Sequence, residues 1–202
     1  MQTAATETAP GRPGRPRSTT REEVGRVALE LFAANGFERT TLDDIAAAVG
    51  IGRRSLFRYF PSKNDMVWGE FELVMDRLRR ELEATPERLP LIEAIGRAVV
   101  ASNSYPDEAL PELRIRMTLI TTVPALQAHS LLRYAAWRGV IADYVALRLG
   151  QAPDDLVPET IAQVALGTAM AAFVRWASHP EDDLERNLEH GFELLAGSFA
   201  DL

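Results

Sequence analysis

Along most of the chain apolar residues return every three or four positions, the spacing of helices that bury one face, and no stretch alternates convincingly like a strand. Val24, Val27, Ala28, Leu31 and Phe32 trace the first stripe. Thr19 or Thr20 caps it, Glu22 and Glu23 occupy its first turn, and Asn35-Gly36 ends it, after which Phe37 enters the same small core. Leu42, Ile45, Ala46 and Val49 make a second stripe, opened by Thr41, with Asp44 where a capping box more often carries Glu, and closed by Gly50. A third helix is expected over 53–60, stopped by Pro61. Ser62 caps a fourth, with Asp65 returning the bond, and the pattern runs on through Met66, Val67, Phe71, Val74, Leu78 and Leu82 to a stop before Pro86. This predicts one uninterrupted helix of about 22 residues, roughly 33 Å long. Further helices are expected over 91–103, 110–122, 124–149, 158–179 and 181–199, with a break at Tyr105-Pro106-Asp107. The predicted fold class is all-α.

The second and third helices, joined across Gly50-Ile51-Gly52, have the form of a helix-turn-helix, whose second helix can enter a DNA major groove. Stepping about 100° per residue places Arg53, Leu56, Phe57 and Phe60 on one side of the third helix and Arg54, Ser55, Arg58 and Tyr59 on the other. The Leu and Phe side chains can pack on the second helix, which leaves arginines, a hydroxyl and a phenol outward. Arginine offers two parallel donors to guanine, and Ser or Tyr can bond bases or phosphates. The plainer alternative is a solvated basic face on an ordinary helical hairpin.

The run TTLDDIAAAVGIGRRSLFRYFPSK resembles the DNA-binding signature of TetR-family bacterial transcriptional repressors. The resemblance implies a homodimeric helical repressor: a helix-turn-helix DNA-binding domain at the N-terminus, then a helical ligand-binding and dimerisation domain. On this chain the expected divisions are a basic arm over 1–18, the DNA-binding domain over 19–63 and the ligand-binding body over 64–202. By position, Arg53, Arg54, Ser55 and Arg58 would face bases, while Thr41, Tyr59 and Lys63 would hold phosphates. The chain departs from the family pattern at Phe57, where Tyr is usual, so the phosphate bond normally made there is missing.

Charge sharpens this division. The net charge is −7, yet residues 1–63 carry 10 Arg/Lys against 7 Asp/Glu and the remainder 12 against 22. Phosphate attraction is local, on the scale of a Debye length of ~8 Å, so the basic head matters more than the acidic total. Arg12, Arg15 and Arg17 lie in a Gly-Arg-Pro run that resembles an AT-hook core and could enter a narrow minor groove; the same composition also suits a solubilising arm. There is no cysteine, no signal-peptide pattern, and the most apolar run, over 164–174, is too short to span a membrane, so a cytoplasmic protein is expected.

The body offers candidates for an effector. His129, Arg133 and Trp137 share one helical face, where arginine could bind an anionic head group among aromatics. An internal ion pair with Asp107, Glu108 or Glu112 is the alternative. Arg114 and Arg116 are similar candidates, and Trp68, Phe71, Met75, Asn103, Met117 and Phe173 could line a cavity or simply be core. The three histidines have no ligand-like spacing, and neither a metal nor a cofactor is expected. Gly167, Ala171 and Ala172 lie in a helix apolar nearly all round, which with Leu188, Phe192, Leu195 and Phe199 suits the four-helix dimer interface of TetR-like proteins. Burial inside one subunit would explain the same pattern.

No catalytic constellation is present in the sequence, and an enzyme is not expected; a constitutive architectural DNA-binding protein is the nearer alternative. The segments FRYFPSKNDMVWGEF and VPALQAHSLLRYAAWRGVIADYVALRLG resemble the regulators associated with mycofactocin gene clusters. That narrower likeness implies control of genes for a redox peptide cofactor or its partner dehydrogenases. For the effector, the body suggests an apolar tail with an anionic end, and an acyl-CoA thioester is one such molecule.

Overall fold

The computed structural model describes residues 19–69 and 71–198, and every regular element among them is helical. In chain order the α-helices are α1 (Arg21–Asn35), α2 (Leu42–Val49), α3 (Arg53–Leu56), α4 (Lys63–Trp68), α5 (Phe71–Ala84), α6 (Leu91–Ser102), α7 (Leu110–Thr122), α8 (Pro124–Leu149), α9 (Leu156–Ser178) and α10 (Leu184–Ser198). The arm carrying Arg12, Arg15 and Arg17, and Phe199, lie outside the described residues.

The caps form where the sequence places them. Thr20 receives the Glu23 N–H at the start of α1, and Gly36, with φ +87°, ends it. Thr41 and Asp44 exchange both capping-box bonds, at 2.8 and 3.1 Å, and the backbone and hydroxyl bonds from Thr41 hold the Asp44 carboxyl below the usual carboxylate range. Asp183 caps α10 by accepting the Arg186 N–H at 2.8 Å, which is why that helix begins later than expected. The head is closed by Phe32 against Phe37, with ring centroids 4.9 Å apart, and by fully buried Ile45, Leu56 and Phe60.

Three expectations fail, each for a local reason. The third helix is a single turn. After Leu56 the N–H groups of Arg58 and Tyr59 bond three residues back rather than four, which tightens the chain and rotates the residues beyond. Phe57 therefore does not pack against α2 but is 48% exposed. The long helix from Ser62 is also not continuous: it breaks at Gly69, whose φ of +57° and ψ of −126° are open to glycine and strained for any other residue. The stripe keeps its phase across the break, so Met66, Phe71, Met75 and Leu78 are all buried even though α4 and α5 are separate. Finally, α9 starts at Leu156, with Pro158 accommodated in its first turn, and at 23 residues is long and apolar enough to cross a membrane by length and composition. The expectation that no span reaches that length is thereby corrected; the apolar run extends at both ends. About a third of its most apolar window is buried, against α7, α8 and α10.

α7 joins the parts. It packs on α1 of the head, on α4 at the junction, and on α8 and α9 of the body. On the far side α10 lies across α6 and α9, and the closest approach is at Gly96, where an added Cβ would come within 2.7 Å of the Phe192 Cβ. Alanine has the higher helix propensity by about 1 kcal/mol, but overpacking a rigid ring stem costs about 1–3 kcal/mol. Gly96→Ala is therefore expected to lower stability, read as a fall in the thermal midpoint of a few degrees, whereas Gly139→Ala, where the Cβ meets nothing, should not lower it.

Candidate functional site

The turn between α2 and α3 is built from two glycines with different tasks. Gly50 takes the left-handed conformation, φ +75° and ψ 28°, and with Ile51 returns its N–H to the last carbonyls of α2. Gly52 opens α3 from extended backbone. Leu56 and Phe60 anchor the inner side. On the outer side Arg54 and Arg58 are exposed, with no side-chain partner among the described residues, and Ser55 is half-buried beside them. Arg53 is exposed too, but its guanidinium faces Asp43 at 3.2 Å, an open pair worth under about 1 kcal/mol that another anion can replace.

Tyr59 and Lys63 are more committed than their positions suggest. The Tyr59 hydroxyl donates to the Thr19 carbonyl at 2.9 Å, so its proton is not free for a phosphate while that bond stands. The Lys63 ammonium lies 4.2 Å from the Phe37 ring centroid and donates to the carbonyls of Phe37 and Thr40 at 2.8 and 3.2 Å, which ties α4 to the α1–α2 loop and leaves one of three donors. The Thr41 hydroxyl is engaged with Asp44.

Behind this surface lies a cavity of about 410 Å³. Eight of the residues expected around an effector line it: Trp68, Phe71, Met75, Asn103, Arg116, Met117, Trp137 and Phe173. Its walls are mainly apolar. The Trp68 ring meets Phe71 and Tyr134 edge-on, and its indole N–H is buried without a partner among the described residues. Asn103 spends its amide on the Val99 carbonyl and Ser102. Arg21, Glu22, Gly25 and Arg26 of α1 also border the cavity, so one wall belongs to the head. Arg77 and Arg116 add two cations from α5 and α7.

Three expected effector residues lie elsewhere. Arg114 is stacked 4.2 Å from the Trp176 ring centroid and donates to the carbonyls of Trp176, His179 and Pro180, closing the end of α9. Arg133 and His129 face Asp65 of α4, at 2.8 and 3.2 Å, beside a separate shallow hollow. The internal-pair alternative for Arg133 is thus the one realised, but with Asp65 and not with Asp107, Glu108 or Glu112, and no sequence spacing could have named so distant a partner. Sequence reasoning also missed Arg21, Arg77 and Gly69. A glycine inside an unbroken helical stripe was the available signal for the last.

Residues 26–67 match the family model described as bacterial regulatory proteins of the tetR family, and residues 89–200 match the MftR C-terminal domain. Over 184 residues the chain is 41% identical to a Mycobacterium tuberculosis protein designated mycofactocin biosynthesis transcriptional regulator MftR, covering 91% of this chain and 93% of that one. The chain belongs to the TetR family. It is accordingly a DNA-binding transcriptional regulator and not an enzyme. The regulator TcmR of Streptomyces glaucescens is 30% identical over 91% of this chain and 84% of its own length. Among solved structures, SmeT, repressor of a Stenotrophomonas maltophilia efflux pump, shares the fold at 22% identity with a TM-score of 0.62, covering 90% of both chains. The Thermus thermophilus repressor FadR, in complex with lauroyl-CoA, does so at 24% and 0.55, covering 89% of this chain and 95% of that one.

In this TetR-family chain the Asp65 pair is the ionic tie between α4 and α8, beside the contact of Trp68 with Tyr134. Burial alone would raise the Asp65 carboxyl, but the Ser62 hydroxyl, Arg133 and His129 outweigh it and bring the carboxyl below its ordinary value. A depressed carboxyl stabilises the fold above its unfolded pKa of about 4, and that contribution is lost as pH falls through the folded value. Asp65→Asn should cost about 1–3 kcal/mol at neutral pH and flatten the acid limb of thermal midpoint against pH below about 4. An unchanged acid limb would assign the acid sensitivity to other groups.

Proposed function

We propose that the chain is a ligand-responsive repressor that binds palindromic operator DNA as a homodimer and releases it when a small apolar or amphipathic effector enters the cavity. The observation that carries this reading is a basic turn with Arg54 and Arg58 unpaired among the described residues, fixed by Leu56 and Phe60 to a head that itself walls an apolar cavity. The head over 19–63 reads DNA, the body over 64–202 holds effector and partner, and the arm over 1–18 supplies basic contacts. Arg54, Ser55 and Arg58 read bases; Arg53 exchanges Asp43 for a phosphate; Lys63 reaches a phosphate with its third N–H. Control of mycofactocin-related genes is supported by the likeness to MftR, and an acyl-CoA effector is favoured by the cavity's apolar walls and by the fold shared with FadR. Such a protein works in the cytoplasm.

Arg54→Ala is expected to cost roughly 1–3 kcal/mol and relax preference at one base pair per half-site, in binding to variant operators selected from random duplexes. Equal weakening at every sequence would make Arg54 a phosphate contact. Lys63→Ala should lower both the salt slope, by about one, and the stability of the head, because two carbonyls lose their donor.

Dimerisation is proposed through α9 and α10. Gly167 and Ala171 are exposed, as is Val174, and nothing lies within 4 Å of a Cβ added at Gly167. In an isolated subunit Gly167→Leu would therefore be tolerated and even favour the helix. In a dimer that uses this glycine for close approach it should shift light scattering towards monomer at micromolar concentration; an unchanged dimer would place the interface elsewhere.

A further inference from the structure

Two guanidinium groups meet at Gly69. Arg21, from the first turn of α1, donates to the carbonyl of Tyr59 and to that of Gly69 at 3.4 Å, and lies 4.2 Å from the Phe60 ring centroid. Arg116, from α7, donates to the Val67 carbonyl at 2.6 Å and is close enough that a Cβ on Gly69 would run into its guanidinium. Between them they hold the end of the α3 turn and the last carbonyls of α4. Both also line the cavity. Arg116 has one carboxylate partner, Glu112 at 2.6 Å; Arg21 has none among the described residues. With Arg26 paired to Glu30, the described charged groups around the chamber are Arg21, Arg77 and Arg116 against Glu22 and Glu112, an excess of positive charge beside apolar walls.

Resting on the effector reading above, we propose that Arg21 and Arg116 form an anion subsite at the cavity mouth, and that its occupation by the head group of an amphipathic carboxylate is what loosens the head. A guanidinium meets a carboxylate through two parallel bonds between opposite charges, which a neutral carbonyl cannot match. An anion here competes directly with the Tyr59, Val67 and Gly69 carbonyls. Once those acceptors lose their donors, the α3 turn and α4 are held to α1 and α7 by fewer bonds, and Gly69 supplies the backbone freedom for α4 to turn against α5. An apolar tail alone fills the chamber without touching this hold. The subsite thus assigns recognition of the tail and release of DNA to different atoms, and it replaces Arg133, already occupied by Asp65, as the group that meets the effector's charge.

The test compares dodecanoate with dodecanol, which share a tail and differ in charge, on the full chain. Binding is read from tryptophan fluorescence, and loosening from amide hydrogen exchange over residues 57–69. Dodecanoate is expected to bind roughly ten- to a hundredfold tighter than dodecanol, and at matched saturation only dodecanoate should speed exchange. Arg21→Gln and Arg116→Gln should each bring the two affinities within about threefold by weakening dodecanoate alone. If Arg116→Gln does not fold, Arg21→Gln, at an exposed residue, decides the matter by itself. Equal affinities in the unaltered chain, discrimination that survives in Arg21→Gln, or equal exchange with both probes would each overturn the subsite while leaving the cavity reading intact. Binding of neither probe would overturn the cavity reading and the subsite with it.

Discussion

The carbonyl groups that end α4 have no helical partners of their own, and the way they are satisfied governs how the molecule is joined. A helix end buried without donors would be costly. Here the donors come from outside the helix: Gly69 returns its N–H to Asp65, Arg116 reaches Val67 from α7, and Arg21 reaches Gly69 from α1. Because α7 also packs on α8 and α9, the same bonds that complete α4 connect the basic turn to the body. The head shares a continuous apolar core with the body, and these hydrogen bonds to backbone set its angle on that core.

Arginine does most of this fastening throughout the body. Arg114 closes α9 with three carbonyls, and Arg148 binds those of Glu87 and Leu89, both at 2.8 Å, pinning the α5–α6 loop to α8. A planar fork with several donors can satisfy two acceptors at once, which a lysine does with less definition. Lys63 is the only lysine of the chain's 22 basic residues, and even it is used against two carbonyls. Much of the positive charge that sequence counting assigns to ligands therefore serves the backbone.

Range decides which features were legible in the sequence. Caps at Thr20, Thr41 and Ser62 and stops at Gly36, Gly50 and Gly150 depend on residues within one turn, and all of them form. The cavity lining was legible as well, because large apolar side chains at helical spacing converge wherever helices pack. Two kinds of feature were hidden. The break at Gly69 leaves the apolar stripe in phase, so periodicity cannot register it. The partners of Arg114 and Arg133 lie more than 60 residues away, and nothing in local spacing distinguishes a carbonyl strut or an Asp65 pair from a free cation. The shortened α3 belongs between these cases: its N-terminal glycine was visible, but its early tightening was not.

The first turns of α1 have a double membership. Arg21 and Gly25 support the folded head and also border the cavity. A substitution there is felt by DNA recognition and by effector recognition together, so during divergence the two specificities cannot drift independently through this segment. Changes of effector preference are easier to accommodate on α9, whose cavity-facing Leu166, Ala169, Met170 and Phe173 carry no such second duty. Divergence among relatives built this way should leave the rim on α1 comparatively fixed and concentrate novelty on the opposite wall.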